Sequence, residues 1–463
     1  MSFLTALLEF LKDVLSQPAL LLGIMALVGL VALKSPGHKI FTGTLGPILG
    51  YIMLGAGADF IVSNLTPLGK MIEKGFHIQG VVPNNEAVVA TAQKILGVET
   101  MSILVLGLVL NIVFARFTKY KYVFLTGHHS FFMACLLSAV LGASGLTGTL
   151  LIVIGGFILG AWSAISPAIG QKYTLKVTDG DEVAMGHFGS LGYYLSAWVG
   201  SKVGNPENST EKLNIPEKWG FLRNTTISTA LTMIVFYLVA AIAAGPTFVS
   251  TLSGDMSPYL FAIMAGLKFA IGVAIVYSGV RMILADLIPA FQGIATKIIP
   301  NAIPAVDCAV FFTYAQTAVI IGFVCSFIGG IIGMLVLGVA GGVLIIPGLV
   351  PHFFCGATAG IYGNATGGRR GAIIGSFVNG LALAFLPALL LPVLGELGFA
   401  NTTFGDVDFT VLGILIGQAG NFFSTTGVYA IVAALVLVLF IPNFIKTKSV
   451  TINNYEDTNQ ISK

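Results

Sequence analysis

Residues 50–72 read GYIMLGAGADFIVSNLTPLGKMI, and residues 272–294 read GVAIVYSGVRMILADLIPAFQGI. Laid over one another at a shift of 222 residues, Gly50, Gly57, Ile61, Leu65, Pro67 and Ile72 each meet an identical partner. A second match lies downstream. At a shift of 220, IGGFILGAWSAISPA (154–168) falls on IGSFVNGLALAFLPA (374–388), again sharing glycines and a proline in order. Compositional bias yields chance apolar matches, but ordered Gly and Pro coincidences mark an internal repeat.

The repeat organises the chain. The reading is an interfacial N-terminal helix over 1–17, a first membrane repeat over 18–200, and a polar cytoplasmic loop with a linking helix over 201–245. A second membrane repeat over 246–445 and a cytoplasmic tail over 446–463 complete it. If each half crosses the membrane an odd number of times, the copies are inverted and a site lies near their interface.

Composition decides the class. Of 463 residues, 56% are hydrophobic and 9% charged, with a mean hydropathy of +0.93. Soluble domains carry about a quarter charged residues. Ten or more apolar runs approach the roughly 20 residues of a membrane-crossing helix, so the expected fold is an all-α polytopic membrane protein. The net charge of +3 is too small to argue for nucleic acid. Basic clusters at Arg116–Lys121, Lys202–Arg223 and Lys446 onward are expected on the cytoplasmic side. Cys135, Cys308, Cys325 and Cys355 stand singly in apolar sequence and read as small packing residues, and no metal site or cofactor is expected.

The 222-residue shift also lays VVPNNEAVV (81–89) on IPAVDCAVF (303–311), setting Asn85 opposite Asp307. Both are proline-bearing breaks between apolar runs, and paired breaks at equivalent positions point to a transport site. Asp307 has no charged neighbour downstream until Arg369. A carboxylate at membrane depth costs at least about 2.5–3.5 kcal/mol, so one that is retained faces a cavity or a partner, or caps the helix it begins. His128 and His129 in LTGHHSFF, and His187 between Gly186 and Gly189, are further candidates, because imidazole both donates and accepts hydrogen bonds. Asp59, Arg281 and Asp286 read as a buried ionic contact between the halves. The glycine-rich stretch 357–372 lacks the phosphate-loop lysine and reads as a turn that places Arg369 and Arg370 at headgroups or a docking surface.

These stretches carry a resemblance. LTGHH, YTLKVTDGDEVAMGHFGSL, SGVRMILADLIPAFQGIATKIIPNAIPAVDCAVF and LIIPGLVPHFFCGATAGIYGNATGGRRGA together resemble the ascorbate-type enzyme IIC permeases of the phosphoenolpyruvate-dependent sugar phosphotransferase system, over about 18 to 440. The resemblance implies a homodimer in the bacterial cytoplasmic membrane, in contact with lipid, with about eleven transmembrane helices per chain, re-entrant hairpins, two inverted repeats and an elevator motion. It implies import of L-ascorbate or a related sugar or sugar acid, phosphorylated on the way by a separate phosphocysteine-bearing enzyme IIB with its enzyme IIA. It further implies a substrate site at Gly127-His128, Gly186-His187, Asp307, Asn85 and Glu86; His129 joins the expected site by its place in LTGHH, and Asp307 is expected to act on the substrate hydroxyl. Phe132 and Phe188 stand where the ascorbate permeases place glutamines, and Asn85-Glu86 where they place threonine and tyrosine. The alternative from another class is an ion-coupled carrier of a small polar solute, with Asp307 as its ion site.

Overall fold

The computed structural model describes Val14 and residues 17–76, 80–83, 85–180, 183–213, 225–394 and 402–444. Most of the expected N-terminal helix, the whole of the tail, part of the polar loop and the side chain of Glu86 lie outside the described residues. The chain is all-α and polytopic. Seven helices among the described residues are long and apolar enough to cross a membrane, and three shorter apolar helices accompany them.

Helices α1 (Pro18–Ala32) and α2 (Gly37–Phe76) lead to a short strand, β1 (Val82–Pro83), and to α3 (Asn85–Phe117). Strand β2 (Tyr122–Phe124), α4 (Gly127–Ala143), α5 (Gly148–Val177), β3 (Ala184–Met185) and α6 (Ser190–Val203) follow. After the polar loop come α7 (Thr225–Ala244), the short α8 (Pro246–Ser253), α9 (Pro258–Lys297) and β4 (Ile303–Val306). A 3-10 turn, Cys308–Thr313, precedes α10 (Gln316–Val339), α11 (Leu349–Leu390), β5 (Thr402–Thr403) and α12 (Val407–Phe444).

The residues shared by the two matched stretches sit where α2 and α9 cross. These two helices, each of 40 residues, run antiparallel. A Cβ on Gly50 would stand 2.8 Å from the carbonyl oxygen of Gly279, and one on Gly57 would stand 3.0 Å from that of Gly272. Each contact is the other's image under the 222-residue shift. Only glycine allows main chains this close, so the spacing of Gly50 and Gly57 records a helix crossing. Helices α1, α2, α7 and α9 pack chiefly on one another, while α3 packs with α4 and α5, and α11 with α6 and α10.

The same antiparallel crossing corrects the expected ionic contact. Because Gly50 meets Gly279 and Gly57 meets Gly272, Asp59 and Arg281 stand on opposite sides of the crossing, and both are exposed in the chain. Asp286 packs instead against Gly43 and Gly46 of α2. Among the described residues no ion pair joins the three.

The short strands exchange between the halves. Strand β4 lies between β2 and β3, pairing Tyr122 with Ile303, Phe124 with Ala305 and Met185 with Val306, all parallel. In the other ribbon β1 pairs in parallel with β5 through Val82 and Thr402, and Val81 bridges Ile345. In each ribbon the strand that follows one long crossing helix is flanked by two segments of the other half. Parallel strands align their ends. Whatever follows each strand is therefore brought to one place.

The glycine-rich stretch lies within α11, which leaves helical geometry at Gly368 (φ 59°, ψ −148°). There the Arg369 guanidinium donates to the carbonyls of Ser209 (3.4 Å) and Lys212 (3.1 Å), fastening the break to the polar loop. The four cysteines are free thiols.

Candidate functional site

The C-terminal ends of the two ribbons face one cavity of about 620 Å³. From β2, β4 and β3 come His128 and His129, Asp307, and His187; from β1 and β5 come Asn85 and Asp406. Helix α2 forms the opposite wall with Tyr51, Asp59, Lys70 and Glu73. Gly186 is required here, since a Cβ would fall 2.3 Å from the carbonyl oxygen of Ala305 on the adjacent strand.

Asp307 serves two purposes. Its Oδ1 accepts the Ala309 N–H at 3.0 Å, capping the 3-10 turn, while Oδ2 lies 3.5 Å from His128 Nε2. The carboxylate is buried, and the cap fixes its rotamer. His128 Nδ1 is 2.8 Å from the Tyr51 hydroxyl, a bond that joins α2 to α4 across the cavity. With Tyr51 donating to Nδ1, the proton of a neutral His128 is on Nε2, the nitrogen facing Asp307.

His187 is held from behind. Its Nδ1 accepts the Gly189 N–H at 3.1 Å and stands 2.8 Å from the Tyr193 hydroxyl, which puts the proton of the neutral ring on Nε2. A ring nitrogen of His187, a carboxylate oxygen of Asp307 and the Cys308 sulfur lie within 4.8 Å of one another. His129 Nδ1 accepts the Phe188 N–H at 3.3 Å, and its ring stacks on Phe409 at 5.5 Å. His129, His187 and Asp406 are close enough to surround a metal ion. Both Nδ1 atoms are engaged by main-chain donors, however, and both Nε2 atoms carry the proton, so the donor set fits hydrogen bonding rather than metal ligation.

Phe132 and Phe188 part company. Phe132 lines the cavity, its ring 5.8 Å from that of His128. Phe188 is fully buried behind the cavity, stacked 4.5 Å from Phe124 and packed on His129 and Phe409. Asn85 meets β5 rather than standing alone. Its Oδ1 accepts the Gly405 N–H at 2.9 Å, and its Nδ2 donates to Asp406 Oδ2 at 3.1 Å.

Sequence reasoning missed Tyr51, Asp406 and Asp408. Asp406 is buried and also receives the Cys355 thiol at 3.0 Å. Asp408 is fully buried and accepts from Trp162 Nε1, Ser190 Oγ and the Leu191 N–H at 3.1, 3.0 and 2.9 Å. It thereby ties α12 to α5 and to the start of α6 beside His187. A shift of 219 residues, three fewer than the main one, sets Gly186-His187 on Gly405-Asp406 and would have flagged the first carboxylate.

Comparison with known proteins gives the site a setting. Residues 13–408 match the family model of the PTS system sugar-specific permease component. The chain is similar to the ascorbate-specific PTS system EIIC component of Mycoplasma pneumoniae, with 28% identity over 423 residues, covering 79% of this chain. The chain spans 63% of the length of that curated relative.

Proposed function

Because the chain belongs to the family of sugar-specific permease components of the PTS system, we propose that it is the enzyme IIC of a sugar phosphotransferase system. It takes up L-ascorbate or a related sugar or sugar acid across the bacterial cytoplasmic membrane, while a separate enzyme IIB, recharged by its enzyme IIA, phosphorylates the substrate. The observation that carries this reading is the convergence of Asp307, His128 and His187 on one cavity walled by elements of both halves.

Asp307 Oδ2 accepts a substrate hydroxyl and takes its proton as the substrate oxygen attacks phosphorus. The phosphorus–sulfur bond to the enzyme IIB cysteine breaks, and the thiol leaves with a proton returned from the site. A general base acts only within hydrogen-bond reach of the proton it removes. The capped, rotamer-fixed Asp307 meets that condition for a ligand held by the Nε2–H groups of His128 and His187. Phe132 offers an apolar face to the ring, and Glu86 is carried as a further substrate contact on the sequence resemblance alone. His129 lines the cavity beside the binding histidines, and Phe188 supports them from behind.

The halves act as inverted repeats, a reading supported by the reciprocal α2–α9 contacts and the exchanged strands. The scaffold is α1, α2, α7 and α9, through which the chain forms a homodimer in the lipid bilayer. The remaining helices slide against it as an elevator, carrying the substrate from one side of the membrane to the other. Tyr51 and His128 part when this happens, since they sit on opposite groups.

Purified protein in proteoliposomes, supplied with phosphoenolpyruvate and the phosphotransfer proteins, tests the proposal. Uptake and phosphorylation of L-ascorbate or a related compound that need phosphoenolpyruvate support it. Uptake driven by an ion gradient without phosphoenolpyruvate contradicts it and favours an ion-coupled carrier.

A further inference from the structure

The two long crossing helices share a geometry and differ in charge. Along α2 one stripe faces the cavity, formed by Tyr51, Gly55, Asp59, Thr66, Lys70 and Glu73 at the spacing of a single helix face. A Cβ on Gly55 would meet nothing within 4 Å, so the stripe borders open space. Among the described residues, α9 contributes none to this cavity. It reaches the site at one point, where Ile283 lines, with Tyr51, Asp307 and Val310, a void of about 10 Å³.

The contacts at the crossing run both ways. A Cβ on Gly279 would stand 2.7 Å from the Gly50 carbonyl oxygen, and one on Gly272 would stand 3.3 Å from that of Gly57. Under the inverted-repeat reading, a cavity that opens along α2 on one side of the membrane has an image that opens along α9 on the other. The 222-residue shift supplies the wall of that image, since Gly55, Asp59, Thr66, Lys70 and Glu73 become Tyr277, Arg281, Ile288, Gln292 and Ala295. Two carboxylates and one ammonium give way to a single guanidinium. Arg281 is exposed, and at 1.5 Å per residue it lies about 24 Å along α9 from Lys297, far from either end of this 40-residue helix. A charge at such depth marks a wet cavity or a partner. It also stands two residues before Ile283, where α9 meets the turn that carries Asp307.

We propose that Arg281 is the phosphate-binding residue of the cavity when it opens inward, holding the phosphoryl oxygens of the enzyme IIB phosphocysteine and then of the phosphorylated substrate. A guanidinium binds two phosphoryl oxygens at once and keeps its charge throughout. Arg281 itself makes and breaks no covalent bond. The phosphorus–sulfur bond breaks and the phosphorus–oxygen bond forms at the substrate hydroxyl, whose proton goes to Asp307. This inference rests on the permease reading with its inverted repeats, and adds to it a residue outside the present cavity.

Single-turnover transfer from phosphorylated enzyme IIB tests it, in proteoliposomes carrying wild type, Arg281→Gln or Arg281→Lys. The acceptor is L-ascorbate first, and otherwise the compound that the uptake assay selects; its binding to each purified full chain is measured by calorimetry. Arg281→Gln is expected to slow transfer about 10²-fold or more, and Arg281→Lys to recover about tenfold of that loss. Both variants are expected to bind the acceptor within about twofold of wild type. The lysine variant keeps the charge, so an intermediate rate there supports the inference even where the glutamine variant fails to fold. Transfer at the wild-type rate in folded Arg281→Gln or in Arg281→Lys overturns it, the result expected of an arginine that only holds a lipid headgroup phosphate. Equal losses of binding and of transfer overturn it too. In these cases wild-type transfer leaves the permease reading standing. Absence of transfer in the wild type overturns that reading, and this inference with it.

Discussion

Asn85 and Asp307 occupy equivalent places after β1 and β4, and they are wired differently. Asn85 spends both ends of its amide on β5, with Gly405 N–H on its oxygen and Asp406 on its nitrogen. Asp307 spends one oxygen on its own helix cap and leaves the other 3.5 Å from His128, on the cavity. An internally satisfied amide holds structure together. A carboxylate with one oxygen facing a cavity is available to a ligand. The two breaks share a backbone plan, and under the proposed function one atom in each, nitrogen against oxygen, separates a structural role from a chemical one.

That contrast can be broken most severely at Asp307. Asp307→Asn keeps a residue that caps well, so stability is expected to change by less than about 1 kcal/mol. Phosphoenolpyruvate-dependent uptake in proteoliposomes is expected to fall about 10²–10⁴-fold, the usual worth of a positioned base. The next effect concerns the two phenylalanines. Phe188→Gln buries an amide in the stack of Phe124, His129 and Phe409, and is expected to cost about 2–4 kcal/mol in thermal unfolding. Phe132→Gln, on the cavity wall, is expected to leave stability nearly unchanged and to shift ligand affinity instead, measured by calorimetry.

Asn85→Ala sharpens the comparison from the other side. It leaves the Gly405 N–H and one oxygen of Asp406 without their partners, and is expected to lower stability by about 1–3 kcal/mol. Transport per folded molecule is expected to fall far less than in Asp307→Asn. Smallest is Tyr51→Phe, which removes a single bond to His128. A loss of about 0.5–1.5 kcal/mol in substrate affinity is expected, with phosphoryl transfer at saturating substrate close to wild type.

Much of this was legible before any coordinates. Gly50, Gly57 and Pro67 found their counterparts because a helix crossing leaves fixed spacings, and Asn85 and Asp307 aligned because each follows the same kind of break. What stayed hidden depends on contacts between distant segments. Asp59 and Arg281 align in the repeat, but the antiparallel crossing that makes Gly50 touch Gly279 carries the two charges apart. Phe132 and Phe188 read alike as departures from a polar pattern, and only the packing of α4 against β3 and α12 separates the cavity wall from the stack behind it. Asp406 escaped because its relation to His187 uses a shift of 219 rather than 222, and its bond to Asn85 spans 321 residues.

The central claim is that Asp307 acts on the substrate hydroxyl while its counterpart, Asn85, does not. Single-turnover phosphoryl transfer tests it most directly, with substrate prebound to Asp307→Asn and phosphorylated enzyme IIB added. The account predicts that substrate remains bound with affinity within a few fold of wild type, while transfer slows by about 10²-fold or more. Transfer at the wild-type rate from the bound substrate would contradict it.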